Sequence, residues 1–238
     1  MAHFHLEKKI PPTHVTVDLL QSLEQYLRAK DVELVPDDPK AKSSTFSVSI
    51  EDNLGTETLA AMNEFQSTKF LDSVGDVKLS LESHNYRAVR SLRISIRLNR
   101  SKTRAEFSVS FEGPSPRDTV SGIYEGFSRV VGPHKNGNGW IHPPFLVDAS
   151  LLMLSGALTV GAVALLFEFP AFGLPALGAA AITIMYLSVM PRARPYITFE
   201  SRATERASKV WDWLFWGTAT FVTFGIVATA IRRFYLGF

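Results

Sequence analysis

The chain has 238 residues, room for one globular domain of about 140 residues plus a small helical bundle. Cysteine is absent, which excludes disulfides, thiolate chemistry and zinc–thiolate sites. The net charge of +2 hides a split: residues 1–145 hold 18 Lys/Arg and 18 Asp/Glu, so this neutral part argues against duplex nucleic acid, which requires a strongly basic face.

The N-terminal MAHFHLEKKIPP lacks the continuous apolar core of a cleaved secretory signal. Its alternation, Phe4 and Leu6 opposite His3, His5 and Glu7, predicts a strand over 3–9 that Pro11-Pro12 ends. Leu19, Leu20, Leu23 and Leu27 then recur at helical spacing, with Thr16 as N-cap, predicting a helix to about Lys30. A Pro/Asp/Lys-rich loop follows, from Val35 to Ser44. Four runs have strict period-2 patterning: Phe46/Val48/Ile50, Val77/Leu79/Leu81, Leu92/Ile94/Ile96/Leu98 and Phe107/Val109/Phe111. Their intervening residues are mostly Ser, Thr, Lys, Arg or Glu, as expected of antiparallel strands with one buried and one wet face. Glu57 to Phe65 reads as a short helix. Ser115-Pro116-Arg117-Asp118 opens a further helix with the stripe Val120, Ile123, Phe127 and Val130, ending at Gly132-Pro133; HKNGNGW then reads as a flexible lead.

The order is β-α-β-(α)-β-β-β-α. It predicts an α+β N-terminal domain over 1–140, an antiparallel sheet of four to five strands with two helices on one face. This arrangement distantly resembles the ferredoxin-like folds, without their simple βαββαβ order.

Beyond residue 140 the composition changes. Three stretches, about 147–167, 170–190 and 211–231, are nearly free of charge, and runs of roughly 20 apolar residues are long enough to cross a bilayer. The expectation is an all-α membrane domain, 141–238, with three transmembrane helices and a basic cytoplasmic linker, 191–210. The first connection, Glu168 to Pro175, holds no base; the second holds Arg192, Arg194, Arg202, Arg206 and Lys209. Basic loops stay in the cytoplasm, so the first two spans form a hairpin with its tip outside, and the head and linker lie inside the inner (plasma) membrane. Arg232 and Arg233 oppose a full third crossing. Trp140, Trp211, Trp213 and Trp216 flank the spans as an aromatic belt, with Arg192 and Arg194 at the interface. Ala157 and Gly161, and Ala176 and Ala180, are small residues four apart, suited to close helix packing and so to a homo-oligomer, though Ala and Gly are also common in membrane helices generally. Ser201 to Asp212 continues helically towards the third span, a lever between head and membrane.

The strongest local anomaly in the head is charge. Arg87, Arg90, Arg93, Arg97, Arg100, Lys102 and Arg104 follow one another with no acid between Glu82 and Glu106. Arg93, Ser95 and Arg97 share the wet face with Ser47, Ser49, Ser80, Ser108 and Ser110. Guanidinium groups beside hydroxyls suit an oxyanion, which makes Arg87, Arg90, Arg93, Ser95 and Arg97 candidate ligand-binding residues. The alternative is cross-strand pairing of Arg93 and Arg97 with Glu82, Glu106 and Glu112. His3 and His5 share a face without a third ligand, so no metal site is assigned. No HExxH, GxSxG or nucleophile–base pair is present, so no catalytic residue and no cofactor is assigned.

These features favour a non-enzymatic, oligomeric membrane effector with a cytoplasmic sensor domain. Its partners would be membrane lipids and an anionic small molecule or a protein. The plan resembles that of compact, membrane-perturbing defence effectors. The alternatives are a membrane-anchored scaffold that recruits a protein partner and a membrane-bound enzyme.

Overall fold

Alternation of apolar side chains with hydroxyl and charged ones builds the head around one large sheet. The computed structural model describes residues 2–38, 40–142, 145–168 and 194–202, with Thr204, Arg206, Val210 and Trp213. In chain order the elements are β1 (His3–Lys9), β2 (His14–Val15), α1 (Val17–Leu34), β3 (Lys42–Glu51), β4 (Thr56–Leu59), β5 (Asp76–Asn85), β6 (Arg90–Asn99), β7 (Glu106–Glu112), α2 (Pro116–Val131), α3 (Phe145–Glu168) and β8 (Thr198–Phe199). Six strands form one antiparallel sheet in the order β1-β7-β6-β5-β3-β4. The head is therefore the expected α+β domain, with one more strand than the sequence indicated.

Phe46, Val48, Val77, Leu79, Leu92, Ile94, Phe107 and Val109 all fall on one face and are buried. Helices α1 and α2 cover that face. Thr16 Oγ1 accepts the Leu19 N–H at 3.1 Å, the expected N-cap. Leu19, Leu20, Leu23 and Leu27 of α1 are fully buried. The helix runs past Lys30 to Leu34 because Asp31 is held from β3, by the Ser44 hydroxyl at 2.8 Å and by Lys42 at 3.4 Å. On α2, Val120, Ile123, Phe127 and Val131 are buried, and Phe127 stacks on Phe107 at 4.4 Å. Val130 is only partly buried, so the stripe ends one residue later than expected.

Two local expectations are corrected. Glu57 to Phe65 is not a helix: Thr56–Leu59 pairs with β3, and only Met62–Glu64 makes a single 3-10 turn. The run HKNGNGW is not a free lead. Gly132–His134 and Gly137–Ile141 are 3-10 turns, Ile141 is buried, and the Asn136 N–H donates to Pro12 O at 3.0 Å.

The least expected element comes from far along the chain. β8 pairs in parallel with β2, residue 14 beside 198 and 15 beside 199. Thr198 N–H donates to Thr13 O at 3.1 Å, Glu200 N–H to Val15 O at 2.8 Å, and Tyr196 N–H to Arg100 O at 3.0 Å. Tyr196, Ile197 and Phe199 are buried within the head's own hydrophobic core. Phe199 meets Phe70 edge-on at 5.7 Å, and the Tyr196 hydroxyl donates to Ile10 O at 3.0 Å. A boundary at residue 140 leaves these residues outside the unit whose core they complete.

Among the described residues no helix is long and apolar enough to cross a membrane. Most of the second and third expected spans lies outside the described residues. Arg202, Thr204, Arg206, Val210 and Trp213 are helical, as expected for the segment after Ser201.

Candidate functional site

The wet face of the sheet carries Arg93, Ser95 and Arg97, whereas Arg90 falls on the helix-covered side and Arg87 in the turn between β5 and β6; the register decides which of them meet. One row of cross-strand partners runs Lys9–Glu106–Arg97–Lys78–Ser49–Thr58. The next runs Glu7–Ser108–Ser95–Ser80–Ser47. Strand β6 rises about 3.3 Å per residue, so Arg90 and Arg97 are roughly 23 Å apart and cannot grip one small ligand. The structure therefore divides the five predicted residues. Arg87 pairs with Asp38 at 3.1 Å, and Arg90 donates to Leu34 O at 3.2 Å. Arg93 pairs with Glu82 at 3.1 Å, one of the cross-strand pairs the sequence offered. Arg97 pairs with Asp76 instead of a glutamate, because Glu106 is taken by Lys9 at 3.2 Å.

Arg97 and Ser95 line a recess of about 330 Å³ with Lys78, Thr103, Arg104, Glu106 and Ser108. Asp76 sets the geometry at its end. Its Oδ2 accepts Arg97 Nε at 2.6 Å and Asn99 Nδ2 at 3.0 Å. The Asp76 side chain is 9% exposed against 44% for Arg97, so the acid is the fixed partner and the guanidinium reaches outward. The hydrogen bond that Arg97 donates to Asp76 raises the Arg97 pKa above its already high ordinary value, so Arg97 stays charged. Lys78 and Arg104 are exposed, and no acid lies within ion-pair distance of either among the described residues.

Comparison with family models, curated proteins and solved structures finds no match. The reading of this chain thus rests on its own residues.

The recess lies close to the place where the chain leaves the head. Lys102, in the turn between β6 and β7, donates to His142 O at 2.6 Å. His142 Nε2 lies 2.8 Å from Arg194 O, with Nε2 the donor, and Asn138 Nδ2 donates to Pro195 O at 2.9 Å. The Arg100 guanidinium donates to Asp72 O at 2.7 Å; burial pushes its pKa down, partly offset by the Asp72 carboxylate. The β6–β7 turn is thus bonded to both flanks of the segment 143–193.

The interface and packing candidates fare unevenly. Trp140 lies in the 3-10 turn before α3, and Trp213 is helical and exposed. Arg194 supplies the carbonyl that His142 binds. Ala157 and Gly161 fall one turn apart on α3, both exposed, with open space where a Gly161 side chain would stand. Trp211, Trp216, Arg192, Ala176 and Ala180 lie outside the described residues. His3 meets the Ser110 hydroxyl at 2.7 Å, and no three ligand-type side chains converge among the described residues.

Sequence reasoning missed Lys78. Period-2 alternation puts it on the wet face, but its position opposite Arg97 follows only from the β5–β6 register.

Proposed function

We propose that the chain is a multi-pass membrane protein whose head lies in the cytoplasm, and that it acts as a non-enzymatic, oligomeric membrane effector. The observation that carries this reading is the bond between His142 and Arg194. Residues 143–193 leave and return at one point, so any excursion into a bilayer crosses it an even number of times. Those residues, about 50 in all, suffice for two crossings of roughly 20 with a short tip. The exposed Leu152, Met153, Leu154, Val160 and Val163 of α3 are what a lipid-facing helix presents. The Ala157/Gly161 pair supplies a close-packing face for a second copy.

The segment Tyr196 to Phe199, a strap that carries β8 back onto the head, favours an effector over a passive anchor. A head that is merely tethered needs only a loose linker. Here the segment that follows the hairpin is built into the head's core through Tyr196, Ile197 and Phe199, so a change in the head reaches the hairpin's base directly.

The absence of cysteine makes the test simple. In intact bacterial cells, Phe172→Cys is expected to react with a membrane-impermeant maleimide, and Arg206→Cys only after lysis. Labelling of Arg206→Cys in intact cells would overturn the topology. In the same cells, induced expression of the full chain is expected to discharge a membrane-potential dye. A correctly oriented chain that leaves the potential intact would sink the effector reading.

A further inference from the structure

We propose that the recess between β5, β6, β7 and the β6–β7 turn is a phosphate-binding site, shaped for a phosphate monoester. Only its lipid source rests on the membrane reading above; the site itself does not.

Three cationic side chains, Lys78, Arg97 and Arg104, line a space that holds one carboxylate, Glu106. Counting the ion-pair partners Lys9 on Glu106 and Asp76 on Arg97 leaves an excess of two positive charges in direct contact, while Glu51 acts on Arg97 only from beyond ion-pair distance, beside the adjoining recess that Arg104 also lines. That excess matches a phosphate monoester, which carries about −1.5 to −2 near neutral pH. A carboxylate would leave half of it uncompensated.

The register adds a second argument. Lys78 stands directly opposite Arg97 on adjacent strands. Like charges in that position repel, and Asp76 answers only one of them. An anion seated between them turns the repulsion into two charge-assisted contacts. Arg97 is prepared for the task. Nε and Nη2 face Asp76, so the guanidinium is held in plane while Nη1 makes no bond among the described residues. Hydroxyl donors complete the lining. Ser95 and Ser108 stand opposite each other in register, their hydroxyls making no hydrogen bond among the described residues, and Thr103 closes the turn side. At about 330 Å³ the recess sits at the small end of ligand sites, the scale of a headgroup and not of a dinucleotide.

The phosphate has two possible sources, a free phosphate compound or the headgroup of a lipid. Placement favours the lipid, because Thr103 and Arg104 directly follow Lys102, which is bonded to His142 where the chain leaves for the membrane.

The experiment uses the full chain in nanodiscs, made of phosphatidylcholine alone or with phosphatidic acid added. Binding of radiolabelled inorganic phosphate is followed by equilibrium dialysis. In phosphatidylcholine discs the chain is expected to take up one equivalent, and phosphatidic acid is expected to displace it. Lys78→Ala/Arg104→Ala should weaken phosphate binding about tenfold or more, since both charges are lost from the lining. Both positions are exposed, so the fold should survive, and an unchanged circular dichroism spectrum would confirm it. Lys78→Arg should retain binding. Arg93→Ala, outside the recess and paired with Glu82, should bind like the parent chain. Phosphate uptake that persists unchanged in phosphatidic acid discs also supports the site and assigns its ligand to solution. The proposal is overturned if the parent chain holds neither phosphate nor phosphatidic acid, or if the double variant binds as tightly as the parent. Depolarisation is a separate readout, so a chain that binds phosphate without discharging the membrane would refute the effector reading and leave this site standing.

Discussion

Phe199→Ala is expected to cost the head about 3–5 kcal/mol, the usual penalty for truncating a buried phenylalanine. Phe199 is 1% exposed and edge-on to Phe70. It also belongs to β8, whose pairing with β2 is only two residues long, so packing must supply most of what holds the strap. Losing the ring therefore leaves a cavity under a segment with few backbone bonds of its own. Resistance of the purified full chain to pulse proteolysis across a denaturant series measures the effect. Arg202→Ala, at an exposed position just beyond the strap, serves as the control and should stay within about 0.5 kcal/mol. If the two variants unfold at the same denaturant concentration, β8 is not part of the folded head. By the same argument a chain cut at residue 140 loses Tyr196, Ile197 and Phe199 together, and should be less stable than Phe199→Ala.

The second large effect is expected at the contact between α1 and α2. Glycine in a helix interior is normally worth replacing, since alanine gains about 1 kcal/mol in propensity. At Gly126 the gain should be reversed. A Cβ there would overlap the Tyr26 hydroxyl and come within 2.7 and 2.8 Å of two ring carbons. The Tyr26 ring is packed against the core, and its hydroxyl donates to Ile123 O at 2.8 Å, so moving it sacrifices that bond. Overpacking and the lost bond together outweigh the propensity, for a net loss of about 1–3 kcal/mol in Gly126→Ala. The same change in a Tyr26→Ala background should be harmless or stabilising, because the obstruction is gone. A parent-background Gly126→Ala that melts higher would show that Tyr26 yields freely.

Tyr26 also makes the fold sensitive to alkali. Burial, helped by the nearby Glu33 carboxylate, raises its pKa from 10.0 to about 12. The folded chain then holds this proton more tightly than the unfolded one. Stability is unaffected below the ordinary tyrosine value and falls as pH rises from 10 towards 12. Chemical denaturation across that interval should show the decline, and Tyr26→Phe should reduce it.

The sheet was legible in the sequence because each strand's two faces differ chemically over seven to ten residues, as in Ser91–Asn99 and Glu106–Glu112. The helices were legible from the Leu19/Leu20/Leu23/Leu27 stripe and its Thr16 cap. β4 was not, since Glu57, Leu59, Ala60, Ala61 and Met62 are helix formers; pairing with β3 overrode their local preference. The strap was illegible for another reason. Tyr196-Ile197-Thr198-Phe199 is too short to show a period, and its partner lies more than 180 positions away. The arginine cluster was visible as a run of residues, but a run has no depth. Only the pairing of β6 with β5 and β7 separates Arg93, neutralised by Glu82, from Arg97, which faces Lys78 across the recess.

The β2–β8 pairing also constrains the order of events during synthesis. Val15 emerges from the ribosome early, whereas Phe199 follows only after the whole of 143–193 has been made. At roughly 5–20 residues per second, about 10–40 s separate the two. During that interval the nascent head lacks a piece of its own core. Under the proposed topology the hairpin reaches the translocation machinery before the strap can close, so insertion comes first and completion of the head second. Until β8 arrives, Val15 and Phe70 lack the strand that covers them and stand open to chaperones and proteases, so the protection of the head waits on synthesis of the whole segment beside it.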